Sequence, residues 1–312
     1  MQNNTKAVVE GALLAAITII LSLLSLYIPI LGTFASLVWP VPIILLGIRH
    51  GVKISLLATI VSGIIVAMLE GPLQAFTVVL GFGLIGIALG WAISKDFSAE
   101  KCLAVGTIAS LVAKVLLILI SLYIMGINPI NEEIAALKES IEQVSKIYTS
   151  IGMNKDTVNA ITQNFSQTVN LLSMAIPGVF VLASVVDAFL NYSVAKIVIA
   201  RLGSRIRDFT PFWQWKLPTF TVFFFLIGVL LTFLEQYWPV GILKYIGMNL
   251  QLVFYFAFFI EGFSLLAYYF GKYNVSKPVR ILTVLFIFFN PFFTQIIVWA
   301  GMFDILMNFR KL

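Results

Sequence analysis

Long uninterrupted apolar stretches constrain this chain more than any other feature of its sequence. Residues 8–28 and 102–125, for example, each contain a single charged side chain. A helix needs about 20 apolar residues to cross a hydrocarbon core about 30 Å thick. In lipid, only helices and closed barrels satisfy their backbone polar groups, and barrel strands alternate polar and apolar residues over about 10 positions. The continuous stretches therefore predict an all-α fold, a polytopic transmembrane helical bundle.

The composition also favours lipid as the solvent. Charged residues make up only 11% of the chain, whereas soluble domains contain about 25%. We predict about nine spans (eight to nine), at residues 8–28, 33–49, 52–70, 73–94, 102–125, 172–200, 214–235, 241–271 and 279–301.

The basic residues predict the orientation of the spans, because cytoplasmic loops are enriched in Lys and Arg. With the N-terminus inside, the inner connections carry Lys6, Arg49, Lys53, Lys95, Lys101, Arg201, Arg205, Arg207, Lys216, Lys272, Lys277 and Arg280. We therefore predict a multi-pass protein of the bacterial cytoplasmic (cell) membrane with a cytoplasmic N-terminus. Nine crossings would place Arg310 and Lys311 outside. A break at Asn290-Pro291 is the alternative, since proline interrupts helices, and it would return the tail to the inner side.

One long connection, residues 127–171, is predicted to lie outside the membrane. Apolar residues recur in it at helical spacing on both sides of Gly152, which predicts an amphipathic helical hairpin. The hairpin is either a spacer resting on the membrane surface or a lid over a binding site. Of the 27 phenylalanines in the chain, 20 follow residue 200. We therefore predict a six-span domain at 1–205, which includes the hairpin, and a three-span region at 206–312.

Sequence motifs for catalysis are missing. The chain has no GxxxxGK[ST] segment, and its only histidine, His50, excludes an HExxH zinc helix. Gly81–Gly86 matches GxGxxG but lies inside an apolar span, where close helix packing explains the glycines better than a dinucleotide. We predict no enzyme activity, catalytic residue, metal or cofactor. The net charge of +6 follows from the inner loops, so no nucleic-acid partner is predicted.

Ionisable residues within the spans are the candidate functional residues, because charge at bilayer depth is costly and marks function or a partner. Lys114 lies in the fifth span, Asp187 and Asn191 in the sixth, and Glu261 in the eighth. One hypothesis is that these four residues line a ligand site. The other is that Lys114 and Asp187 form a structural ion pair between neighbouring spans.

The N-terminal part of the chain resembles the S components of energy-coupling factor (ECF) transporters. The resemblance covers about residues 5–125 and is carried by AxxxA at Ala12 and Ala16, by Trp39-Pro40-Val41-Pro42, by residues 46–51 and by the glycine-rich fourth span. It implies a protein that binds a small solute and has a coupling subunit and ATPases as partners. It also implies that Ala12 and Ala16 form the face on which the coupling subunit docks.

Almost the whole chain resembles a narrower group, the YybS-like family of bacterial membrane proteins. The carrying residues are the same N-terminal run, the segment Pro211–Pro218 and the tail from Gly301 to Lys311. S components usually have about six spans, whereas this chain adds a hairpin and about three spans. A non-transporting scaffold or regulatory subunit therefore remains the alternative function, with the hairpin or the basic 201–216 loop recruiting a protein partner.

Overall fold

The computed structural model describes residues 2–28, 32 and 38–311. Eleven helices with the following bounds account for most of this part of the chain: α1 Gln2–Tyr27, α2 Val41–His50, α3 Val52–Glu70, α4 Pro72–Ser94, α5 Ala99–Tyr123, α6 Pro129–Ser150, α7 Lys155–Arg201, α8 Phe220–Leu234, α9 Ile242–Lys272, α10 Lys277–Phe289 and α11 Pro291–Met307. The predicted all-α fold is confirmed.

In the described part of the chain, six helices are long and apolar enough to cross a membrane, and a seventh crossing results if α10 and α11 count as one bent span. The helices α2 and α8 are apolar but shorter. Each of the nine predicted spans therefore coincides with a long helix, a short apolar helix or the bent pair. The first residues of the second predicted span, 33–37, lie outside the described residues.

The hairpin predicted at residues 127–171 is helical on both sides of its turn. Gly152 makes that turn with a φ of +84°, a conformation that glycine adopts without steric cost. The side-chain oxygen of Asn154 then accepts a hydrogen bond of 2.8 Å from the backbone nitrogen of Asp156 at the start of α7. The second arm is not a separate helix, because α7 runs for 47 residues from the hairpin into the sixth predicted span.

The helices group into two compact units. The first comprises residues 1–136 and 180–208, and the second comprises residues 137–179 and 209–312. The predicted division at 205/206 placed the hairpin with the N-terminal domain, whereas the compact units group residues 137–179 with the C-terminal helices. The long helix α7 contributes to both units.

Glycines bring helix backbones together in the first unit. A Cβ atom on Gly47 of α2 would lie 2.9 Å from the Cα atom of Gly90 in α4. One on Gly86 would lie 2.9 Å from the Cβ atom of Ile43. The glycines of the GxGxxG match thus serve close helix packing, as expected for small residues in membrane helices. Residues Thr77–Gly83 of α4 form a π-helical segment.

Aromatic side chains fill the core of the second unit. Phe258 of α9 is buried against Val222, Val298, Met302 and Ile305. Phe224 and Phe254 stack with ring centroids 5.7 Å apart. This core accounts for only part of the phenylalanine enrichment after residue 200, since Phe223, Phe288 and Phe289, for example, are exposed.

An asparagine secures the N-terminal part of α7 within the second unit. Pro177 interrupts α7, because proline has no backbone N–H to donate. The side chain of Asn249 accepts a hydrogen bond of 2.7 Å from Gly178 N and donates one of 2.8 Å to Met174 O. In a regular helix those two backbone groups pair with each other. The amide of Asn249 therefore bridges α7 at its proline.

The chain turns sharply between α10 and α11, whose axes are bent by 104°. Pro291 begins α11, and the side chain of Asn290 caps it by accepting a hydrogen bond of 3.1 Å from Phe292 N. Along α11, Gln295 contacts Tyr255, and Asp304 lies close to Glu261, nearer the end of α9. From the first of these contacts to the second, the residue numbers rise along both helices, so α9 and α11 run parallel.

The direction of α11 decides between the two placements of the tail. Because α9 and α11 are parallel, Met307 and Lys272 lie towards the same end of the second unit. Nine straight crossings would have put the tail opposite Lys272, so that expectation was wrong. The alternative break at Asn290-Pro291 is the one that the structure contains.

We expect Gly301→Ala to destabilise the protein by about 2 kcal/mol, the usual cost of overpacking. The added Cβ would overlap the carbonyl oxygen of Phe258 and the backbone nitrogen of Gly262, neither of which can rotate away. Gly271→Ala is the matched control, because nothing lies within 4 Å of its added Cβ. Thermal unfolding of the detergent-solubilised variants measures the difference, and equal midpoints would contradict the close packing of α9 and α11.

Candidate functional site

Three polar side chains of α5 and α7 meet in the first unit. Lys114 forms an ion pair with Asp187 and donates a hydrogen bond of 2.7 Å from Nζ to Ser110 Oγ. Ser110 donates in turn to Asp187 Oδ2 over 2.9 Å. Ser110 and Lys114 are one turn apart on α5, so both point to the same side of that helix. The contact expected between Lys114 and Asp187 is therefore present.

This polar cluster lies far from the helix ends. Lys114 is about 20 Å along α5 from Ala99, and Asp187 is about 20 Å along α7 from Arg201, at 1.5 Å per residue. The cluster is also open, since 25% of the Lys114 side chain and 44% of the Asp187 side chain are exposed. Ser110 beneath them is buried. The arrangement presents one cation and one anion at the surface of the first unit, far from the ends of two helices that are long and apolar enough to cross a membrane.

Asn191 lies one helical turn beyond Asp187 and is buried. Its Nδ2 donates a hydrogen bond of 2.8 Å to the backbone oxygen of Asp187. Among the described residues, no donor reaches its Oδ1. Asn191 thus supports the backbone at Asp187 and has one amide oxygen left to accept a hydrogen bond.

Glu261, the fourth candidate ligand residue, belongs to the second unit and is 1% exposed. Its Oε1 pairs with Arg310 of the tail, and its Oε2 accepts a hydrogen bond of 2.9 Å from Leu217 N. Arg310 also contacts Asp304, with Nη2 2.7 Å from Oδ2. The four candidate ligand residues therefore divide between two clusters, one in each unit.

Two of these partners were missed by the sequence analysis. Arg310 lies after the last predicted span, and nothing in the local pattern indicates that its side chain is buried. Asp304 lies beyond the end of the ninth span as we predicted it. One signal could have identified the cluster. It is the combination of Arg310 shortly after the last apolar helix, Asp304 near the end of that helix, and another acid, Glu261, on a neighbouring span.

The small-residue face of α1 has one side packed and one side open. Gly11 and Ala15 are buried, and the backbone oxygen of Ala15 accepts a hydrogen bond of 3.3 Å from Ser62 of α3. Ala12 and Ala16, the residues of the AxxxA motif, are exposed beside Leu13. The motif therefore does not serve packing within the first unit.

Another charged cluster of the first unit also escaped the sequence analysis. Glu10 of α1 pairs with Arg49, and its Oε2 lies 2.7 Å from Nε2 of His50. These residues and Lys6 line a cavity of about 1120 Å³. His50 is therefore a hydrogen-bond partner of Glu10 on α1.

The basic segment after α7 is partly neutralised. Arg207 forms a two-pronged ion pair with Asp96 and thereby holds the pKa of that carboxyl group below its usual value. The Tyr192 hydroxyl donates a hydrogen bond of 2.6 Å to the backbone oxygen of Arg207, and Lys196 pairs with Asp208. Three contacts therefore fix the segment that was considered as a site for recruiting a protein partner.

Trp39 is buried in the first unit. It is 1% exposed and stacks on Phe82 with ring centroids 4.2 Å apart. In the described part of the chain, no group of three or more His, Cys, Asp or Glu side chains is close enough to hold a metal ion.

The six long apolar helices found among the described residues define a multi-pass integral membrane protein. Comparison with known sequences agrees. The chain belongs to a family described as predicted membrane proteins (DUF2232), whose sequence model matches residues 16–305. It is also 28% identical over 309 residues to the uncharacterized protein YybS of Bacillus subtilis (strain 168), an alignment that covers 99% of this chain and 98% of the relative. The predicted YybS-like family is thus confirmed. No solved structure matches the chain.

We expect Lys114→Leu to lower the free energy of unfolding by about 1–2 kcal/mol, because it leaves Asp187 charged without a cation. The partial exposure of the pair keeps the cost below that of a fully buried pair. Combining it with Asp187→Leu should recover most of the loss, since no charge then remains. Unfolding of the wild type, the two single variants and the double variant by denaturing detergent in mixed micelles measures the coupling between the two side chains. Strictly additive losses would mean that the two side chains do not interact.

Proposed function

We propose that this chain is a small-solute-binding membrane protein, similar in role to the S components of ECF transporters. It resides in the bacterial cytoplasmic membrane with its N-terminus in the cytoplasm, and it has no catalytic activity of its own. Transport depends on a separate coupling subunit and ATPases. The observation that carries the proposal is the half-exposed Lys114–Asp187 pair at the depth of the bilayer.

The cost of charge in lipid supports a binding role for this pair. Ionisable residues at bilayer depth face water, a ligand or another protein rather than acyl chains. A purely structural pair would gain most from complete burial, yet 44% of the Asp187 side chain is open. The Lys114 ammonium and the Asp187 carboxylate are therefore placed to meet a polar molecule that enters from the open side.

The chemistry of the pair indicates the class of solute. A solute with both an anionic and a cationic group can enter between Lys114 and Asp187 and keep both side chains neutralised. A solute with one charge would instead leave one member of the pair without a partner, at a cost in this setting. Asn191, one turn away, is buried and supports the backbone oxygen of Asp187. We therefore favour small zwitterionic solutes. Glu261 is not included, because its carboxylate is sealed in the second unit.

The open face of α1 supports the need for a partner subunit. Ala12 and Ala16 lie on the exposed side of α1, and small residues allow another helix to approach closely. The resemblance to S components gives that partner an identity, namely the coupling subunit.

We expect the wild-type protein, purified gently in native lipid, to retain a zwitterionic metabolite that native mass spectrometry detects. Lys114→Met and Asp187→Asn should each lose it, because each removes one of the two charges that the solute contacts. Asp96→Asn is the matched control, since it removes an acid from an ion pair of the same unit outside the helices. Retention of the same molecule by Lys114→Met and Asp187→Asn would contradict the site.

Docking is tested separately. Ala12→Trp or Ala16→Trp should abolish co-purification of a coupling subunit with its ATPases, because the bulky ring prevents close helix contact. Val112→Trp on α5 is the control, as Val112 is equally open to the bilayer. Recovery of an unrelated protein, with neither solute nor ATPase, would favour the scaffold function instead.

A further inference from the structure

The ionic cluster of the second unit has an unbalanced charge. It contains two acids, Glu261 and Asp304, and one base, Arg310, and all three side chains are 0–1% exposed. If both acids were ionised, the cluster would carry a net charge of −1 without access to water. Burying an uncompensated charge is so costly that the group usually becomes neutral instead.

The two carboxyl groups share one partner atom. Nη2 of Arg310 contacts Oε1 of Glu261 and Oδ2 of Asp304, so the two groups are immediate neighbours. Like charges at such separation resist simultaneous ionisation, and a shared proton is the usual outcome.

Of the four carboxyl oxygens of Glu261 and Asp304, three accept hydrogen bonds from the described residues and one does not. Both oxygens of Glu261 accept hydrogen bonds, from Arg310 and from Leu217 N. Oδ2 of Asp304 accepts from Nε of Arg310 over 2.8 Å. Oδ1 of Asp304 is buried, and no donor among the described residues reaches it. This oxygen is therefore free to carry a hydrogen atom without losing an existing hydrogen bond.

Among the described residues, no other charged side chain forms an ion pair with this cluster. The helix α8 contains no ionisable residue. Lys216, in the segment before α8, donates to the side-chain oxygen of Asn308 over 2.6 Å. Arg280 of α10 is engaged with the backbone oxygens of Val275 and Phe270. The polar groups that do reach Arg310 are neutral, namely Ser264 Oγ at 2.6 Å and Trp213 O at 2.9 Å.

We propose that Glu261 and Asp304 form a proton-binding site that holds a single proton between them beside Arg310. With that proton bound, the cluster is neutral and Arg310 ties the tail to α9 and to the segment before α8. Loss of the proton leaves a second buried negative charge against one guanidinium group. The attachment of the tail in the second unit is therefore linked to proton binding.

The sign of this linkage follows from counting protons. In the unfolded chain both acids are ionised at neutral pH, whereas the folded cluster keeps one proton. The folded state thus binds more protons, and rising pH favours unfolding tenfold for each pH unit. This holds from the ordinary carboxyl pKa of about 4 up to the pH at which the folded pair loses its proton. Above that pH the folded and unfolded states bind the same number of protons, so the stability no longer depends on pH.

Infrared spectroscopy of the protein in lipid nanodiscs tests the site directly. At neutral pH the wild type should show the carbonyl stretch of a neutral carboxylic acid. Asp304→Asn and Glu261→Gln should each abolish it, because the one remaining acid is balanced by Arg310. Glu142→Gln, which changes an exposed acid of α6 in the same unit, should leave it unchanged. A wild-type spectrum without the band, or a band that survives both substitutions, would overturn the proposal.

The pH dependence of unfolding provides a second readout, which can be measured first on the wild-type protein alone. The midpoint of unfolding should fall between about pH 5 and the pH at which the folded pair deprotonates, and Asp304→Asn should flatten this dependence. Replacing sodium with choline separates a bound proton from a bound metal cation. Stability that rises with sodium concentration, together with a missing neutral carboxyl band, would show that a cation occupies the site and would refute proton binding.

Discussion

Lipid offers no hydrogen bonds, so a polar group that this chain places in its spans is stabilised by a partner within the protein. That requirement accounts for several of the contacts between helices. Asn249 bridges the backbone of α7 where Pro177 interrupts it. Gln251 donates to Gly228 O and to Thr232 Oγ1, which joins α9 to α8. The packing of glycine faces brings helices close, but these polar contacts determine which residues lie opposite one another.

The same requirement explains the course of the C-terminal tail. An arginine at the end of the chain would ordinarily remain in water, where it costs nothing. Arg310 is instead buried, because Glu261 and Asp304 would otherwise be charged and without partners inside the second unit. The return of α11 alongside α9 and the burial of Arg310 are therefore two consequences of placing acids in apolar helices.

Local sequence signals were sufficient for the helices and for half of the candidate site. The apolar stretches are continuous, and Lys114 and Asp187 are conspicuous in them, so both the spans and the pair were predictable. Ser110 was not, because serine is common in membrane helices and its role depends on a residue 77 positions away. The tail was predictable only as one of two alternatives, since Pro291 permits a break but its direction depends on the contacts between α9 and α11. The burial of Trp39 likewise depends on Phe82, which no pattern near Trp39 reveals.

The two ionic clusters differ in the property that separates ligand binding from proton binding. The Lys114–Asp187 pair is balanced in charge and open, so a solute can reach it and exchange partners with it. The Glu261–Asp304–Arg310 cluster is unbalanced and closed, so it has no room for a solute, yet it needs one positive charge more than its side chains supply. A proton is the one ligand that satisfies this need without a cavity. Exposure and charge balance, rather than the presence of ionisable residues as such, are therefore the grounds on which we propose different chemistry for two sites built from the same kinds of side chain.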